Sequence, residues 1–130
     1  MKLNGCDNVT IINACVGQEN GTAQFTSDSG SGTNHVSTRG KLTVKVVSID
    51  SLFAPGTISL PNCIKIDVEG SELAVLKGAK LVIAAARPLL FISFHGVEVR
   101  QQCATLLESW NYKNQGGVWV PQPAILISPA

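Results

Sequence analysis

Residues 63–79 read Cys-Ile-Lys-Ile-Asp-Val-Glu-Gly-Ser-Glu-Leu-Ala-Val-Leu-Lys-Gly-Ala. The apolar run Ile64-Lys65-Ile66 delivers two carboxylates, Asp67 and Glu69, to its carboxyl end, and Gly70 then lets the chain turn. Carboxylates so placed can hold hydroxyls, take protons or bind a cation. A second apolar run, residues 89–94, ends at His95. Histidine titrates near neutrality, so His95 is the candidate general base. Ligands of open α/β sheets sit just beyond the carboxyl ends of strands. A plainer reading stands beside this one. Asp67 and Glu69 would cap the helix that starts near Ser71, itself a candidate N-cap, and His95 would bond backbone. Spacing alone leaves both open. Asp67, Glu69 and His95 could also hold a divalent ion, but a metal-dependent hydrolase needs more ligands than these strands offer. No metal is assigned.

The elements that must position these groups follow from periodicity. Residues 9–16 read as a largely buried strand ending at Gly17, and 22–26 as a shorter one. Residues 27–40, rich in Ser, Gly, Thr and Asn, read as a loop that leaves His35 in solvent. Residues 42–48 alternate like a half-exposed strand. A helix over 71–77 stops at Gly78, with 80–86 continuing it until Arg87-Pro88. The run 89–94 suits a parallel strand covered on both faces. Val99, Cys103, Leu106, Leu107 and Trp110 mark one helix face, with Arg100, Gln101, Thr105 and Glu108 outside. Residues 118–120 and 124–127 read as closing strands, an antiparallel pair around Pro121-Gln122-Pro123. Residues 63–67, 89–95 and 124–128 should then share one sheet, with right-handed crossovers.

The 130 residues suffice for one core. Hydrophobic residues make up 45% and charged residues 15%, which excludes a disordered chain. A net charge of +1 with no basic run gives no sign of a nucleic-acid surface. No apolar stretch reaches the roughly 18–20 residues that span a bilayer. Met1 to Gly5 lacks a signal-peptide core. Cys6, Cys15, Cys63 and Cys103 form no CxxC pair. Three of them, Cys15, Cys63 and Cys103, fall in apolar patterns, which suggests reduced thiols packed as small hydrophobes in a cytoplasmic protein. Two glycosylation sequons, at Asn8 and Asn20, read as coincidence.

Ile64-Lys65-Ile66-Asp67-Val68-Glu69-Gly70-Ser71-Glu72, then Val75-Leu76-Lys77-Gly78-Ala79, resemble the signature of FkbM-type methyltransferases. Ser48 to Leu52 is similar to the segment before that signature. Asn13-Ala14-Cys15-Val16-Gly17 resembles the family's third-strand region, Arg87 to His95 its fifth strand, and Trp110-Asn111-Tyr112 its late helix-to-strand junction. The resemblance implies a Rossmann-like class I fold, S-adenosylmethionine as donor, and O-methylation of a hydroxyl on a small molecule, sugar or glycan. It implies His95 as base, Asp67 near the sulfonium or acceptor, Glu69 on acceptor hydroxyls or a metal, and Asn13, Ala14 and Cys15 beside the adenine.

There are two departures from the family pattern. The glycine-rich turn after strand one and the acid ending strand two have no counterpart, and Ser93 stands where the fifth strand carries Glu. The expectation is therefore a single truncated domain over 1–130, the C-terminal two-thirds of the family's. Its α/β sheet would be partial and mainly parallel, with an antiparallel C-terminal edge and without the first two strands. Either residues 9–16 pair with 63–67, or exposed edges invite self-association. A non-catalytic α/β remnant or interaction module is the competing reading.

Overall fold

The computed structural model describes residues 5–25 and 42–124. The loop expected over 27–40, with His35, and most of the strand expected over 124–127 lie outside the described residues. Two mixed sheets form, not one mainly parallel sheet. In the first, β1 (Cys15–Val16) runs parallel to β3 (Leu42–Val47), and β2 (Gly21–Phe25) pairs antiparallel on its other side. The second has the order β4 (Cys63–Ile66), β5 (Leu89–Ile92), β7 (Val118–Pro121), β6 (Tyr112–Gln115). Only β4 and β5 are parallel in it. The described residues also form four helices: α1 (Ile49–Phe53), α2 (Glu72–Lys77), α3 (Lys80–Ala86) and α4 (Val97–Ser109). None is long and apolar enough to cross a membrane.

Residues 9–14 are not strand, and Ile11 is 71% exposed. An apolar run becomes a buried strand only where neighbours cover it. Here β3 meets just the last two residues, Cys15 opposite Val46 and Val16 opposite Val47. Of residues 9–16, Cys15 and Val16 alone pair, with β3 and not with β4. Among the described residues, the far edge of β4 carries no strand.

The C-terminal hairpin also differs from expectation. Val118–Pro121 pairs with Tyr112–Gln115 on one side and with β5 on the other. The turn is Gly116-Gly117, both at positive φ (62° and 92°), as a two-residue type I′ hairpin needs. Lys113, Asn114 and Gln115 are exposed on this edge strand, so no apolar alternation marks it.

Leu76, Leu90, Cys103 and Leu107 are fully buried, with Ile66, Val75, Ile83, Tyr112 and Trp119 around them. On α4, Cys103 and Leu107 are buried, Val99 and Leu106 half-buried, and Arg100, Gln101, Thr105 and Glu108 exposed, as the periodicity requires. Arg87 closes α3 in the left-handed conformation (φ 49°). Its guanidinium donates to the carbonyls of Trp110 (2.7 Å) and Asn111 (3.0 Å) and lies 4.5 Å from the Tyr112 ring centre.

Helices α2 and α3 are separate. Gly78 ends α2 with an ordinary φ of −77°, so chain reversal does not explain the glycine. Close approach does: a Cβ there would collide with the Gly17 carbonyl oxygen. Asp50 of α1 reaches the same junction. Its carboxylate accepts the N–H groups of Leu81 (3.0 Å) and Val82 (2.9 Å), capping α3, whose own N-cap residue Ala79 has no polar side chain. Two predictions follow from this junction. Asp50→Ala should cost about 0.5–2 kcal/mol in urea denaturation. Gly78→Ala should cost more, because backbone must move. A Gly78→Ala chain as stable as wild type would show that Gly17 and Gly78 do not touch.

Candidate active site

Strand β4 ends at buried Ile66, and the chain then turns through Asp67-Val68-Glu69-Gly70-Ser71. Glu69 (φ 50°) and Gly70 (φ 97°) are consecutive left-handed residues. Glycine adopts this at no steric cost, whereas Glu69 holds it at about 1–2 kcal/mol. Ser71 occupies the N-cap position of α2 but makes no capping hydrogen bond. Glu72 instead ties the helix to the turn before it, its Oε1 accepting the Gly70 N–H at 3.1 Å.

Glu72 is fully buried. Its Oε1 also lies 2.7 Å from His95 Nδ1. Since a carboxylate accepts, Nδ1 carries the proton, and Nε2 is the free nitrogen of the neutral ring. The Ser93 N–H bond to the Ile66 carbonyl (2.9 Å) extends the β4–β5 pairing and brings His95 beside the end of β4. Nε2 then stands 3.6 Å from Asp67 Oδ1 and 3.5 Å from Glu69 Oε2. Lys65 Nζ approaches Asp67 Oδ2 at 3.2 Å. Neither Asp67 nor Glu69 accepts a backbone N–H among the described residues, so the capping reading finds no bond. Asp67, Glu69 and His95 offer donor atoms within 4.8 Å of one another, a set that a divalent cation would accept.

Burial pushes the Glu72 carboxyl up. The His95 hydrogen bond, the N–H groups of Glu72 and Gly70 and the imidazolium charge outweigh it and leave the group below its ordinary 4.5. The Glu72 hydrogen bond raises His95 above 6.5. Partial burial opposes that rise, and the charges of Glu69, Glu72 and Asp67 add to it. Burial, then the Glu72 charge, pushes the Cys103 thiol up to about 11, so it is no nucleophile at neutral pH.

The structure thus brings together Asp67, Glu69 and His95. It does not bring Asn13, Ala14 and Cys15 to them. Those residues lead into and open β1, in the other sheet, and among the described residues no hydrogen bond or ion pair joins them to the cluster. Cys15, Cys63 and Cys103 are free thiols, but Cys63 is exposed rather than packed. The sequence reading missed Glu72. A signal existed: residues 72, 75, 76 and 79 share one helix face, and three of the four are apolar and buried. A glutamate on that stripe marks a paired buried charge.

Residues 3–116 match the Methyltransferase FkbM domain. The chain belongs to the FkbM methyltransferase family. A curated relative, the hexuronic acid methyltransferase AglP of Haloferax volcanii, is 37% identical over 78 residues, covering 60% of this chain and 33% of that protein. The crystal structure of Methyltransferase FkbM from Methylobacillus flagellatus KT superposes with a TM-score of 0.56 at 24% identity, over 80% of this chain and 23% of that one. The second likeness is one of fold. The chain thus spans a third or less of the length of each relative.

Stability should depend on pH through the buried pair. Glu72, lowered on folding, contributes above pH 4.5, and this is lost as pH falls through its folded value. His95, raised on folding, contributes below pH 6.5, and this is lost as pH rises through its folded value. Their joint contribution is full between the two. Melting temperature against pH should therefore fall on both sides of that window, and His95→Gln should flatten the alkaline side. An unchanged alkaline limb would break the argument.

Proposed function

We propose that this chain is the acceptor-side part of an S-adenosylmethionine-dependent O-methyltransferase whose acceptor is a hydroxyl of a sugar or glycan. The observation that carries the reading is the His95 ring, held through Nδ1 by buried Glu72 so that Nε2 faces two exposed carboxylates. The Haloferax volcanii relative is named for hexuronic acid, which makes a hexuronate the first acceptor to try.

The residues present fit one end of the donor. Three carboxylates around one imidazole, with Lys65 at the rim, suit the positive sulfonium. Asn13, Ala14 and Cys15 offer no charged partner for ribose hydroxyls. When bound, S-adenosylmethionine supplies the methyl group. The chain's own work is on the acceptor. Asp67 and Glu69 hold its hydroxyls, and His95 Nε2 takes the proton as the oxygen gains the methyl, leaving an imidazolium stabilised by Glu72. Glu72 touches no reactant in this scheme. It positions His95.

The deciding experiment joins the segment of the Methylobacillus flagellatus protein that precedes the matched region to this chain and follows labelled methyl from S-adenosylmethionine into a hexuronate-containing glycan. Labelled glycan supports the reading, and none with a folded chimera sinks it. His95→Gln should lower turnover by roughly 10²–10⁴-fold. In the wild type, turnover should rise with pH through a value above 6.5, because the base acts only when neutral. A non-catalytic remnant predicts no transfer from any variant. Calorimetry on the 130-residue chain alone should show weak donor binding or none, and micromolar binding would mean that other residues replace the missing glycine turn and ribose acid.

A further inference from the structure

A cavity of about 420 Å³ opens where the end of β5, the start of α4 and the β6–β7 turn meet, and none of Asp67, Glu69, Glu72 and His95 is among its described lining residues. Its size lies within the roughly 300–1,000 Å³ of small-molecule sites. Phe94 and Gly96 line it and are the chain neighbours of His95, each with its Cα about 3.8 Å from that of His95. The cavity is thus one residue from the proposed base.

The lining has a distinct chemistry. Ile92 and Phe94 supply an apolar surface on which the C–H face of a sugar ring can rest. Asn114 Oδ1 accepts the Gly117 N–H at 3.1 Å, which leaves the Asn114 amide hydrogens without a partner among the described residues. Arg100 is, among the described residues, the only charged one in the lining. Among the described residues its guanidinium has no hydrogen-bond or ion-pair partner. Glu98, the acid nearest to it on α4, lines a different cavity between α2 and α4. Asp67, Glu69 and Glu72 are engaged with His95. From the described residues the cavity therefore carries one positive charge and no negative one. A solvated helix face accounts for an exposed arginine. It does not account for an unpaired arginine placed with an amide donor and an aromatic ring in one concave site next to a histidine.

We infer that this cavity is the acceptor subsite and that Arg100 makes it selective for a sugar carrying an anionic group, a carboxylate or a phosphate. The inference rests on the proposed reaction only in calling the bound sugar the acceptor. Guanidinium binds either anion through two parallel N–H bonds, and the two are separated by probe.

The test is amide NMR of the 130-residue chain titrated with D-glucuronate, D-glucose 6-phosphate and D-glucose. At least one anionic sugar should shift the Gly96 and Gly117 amides saturably, and glucose should bind about tenfold or more weakly. The effective probe names the anion. Arg100→Gln should reduce binding of that probe to the level of glucose, while the rest of the spectrum is kept because the side chain is exposed. Arg100→Lys should restore part of it. Equal binding of all three sugars, no saturable shift from any, shifts centred elsewhere, or an unchanged Arg100→Gln chain each overturn the inference. Binding is read without methyl transfer, so the two proposals fail separately. Lost selectivity with transfer intact removes the subsite alone, and intact selectivity without transfer removes the reaction alone.

Discussion

A carboxylate that water does not reach holds the site together. Burying Glu72 exposes it to a desolvation cost of several kcal/mol, offset only by well-aligned partners. Its partners are the Gly70 N–H and the His95 ring. One oxygen thus joins the turn after β4, the first residue of α2 and the chain beyond β5. Its second oxygen, Oε2, has no partner among the described residues, so the attachment to His95 matters all the more. The tautomer of His95 follows from this bond, and so does the direction in which Nε2 points. Fold and chemistry are coupled here, because the same contact that compensates a buried charge also aims the ring.

The smaller sheet is attached by contacts of another kind. Gly17 and Gly78 bring two backbones closer than any side chain permits. The Asp50 N–H donates to the Gly78 carbonyl at 2.8 Å while its carboxylate caps α3. Asn20 fastens the same N-terminal end of α1, its Oδ1 accepting from the Ser48 N–H and the Ser51 hydroxyl. These polar and steric ties add to a small apolar contact, with Val16 and Ile49 packed against the core and Val47 buried. They suit a sheet whose first strand has two residues and whose neighbouring segment stands exposed.

What the sequence disclosed, and what it hid, follows from the same physics. α4 was legible because it buries a periodic face against the core, and β5 was legible as an apolar run, although it is covered on one face only, with Leu90 buried and Leu89 and Phe91 each 40% exposed. The convergence of Asp67, Glu69 and His95 was legible because parallel neighbours end at the same sheet edge. Strand β6 was not, since an exposed edge strand needs no apolar alternation and only Gly116-Gly117 betrays it. Residues 9–14 misled for the opposite reason: an apolar run was present without the neighbours that would bury it. The placement of Asn13, Ala14 and Cys15 depends on which strands surround them, and local pattern does not encode that. Ser71 was the obvious cap by residue type, yet it makes no capping bond, and Glu72 one position later bonds the turn before the helix, because the helix face that it shares points inward.

Glu69 sits in a backbone conformation that glycine would occupy more cheaply. In directed evolution this sets stability and chemistry against each other. A screen that rewards heat resistance alone favours glycine at this position, and with it the loss of one of the two carboxylates facing His95 Nε2. The more robust such a lineage becomes, the less of its site it retains. Selection for this scaffold must therefore carry a functional readout from the first round.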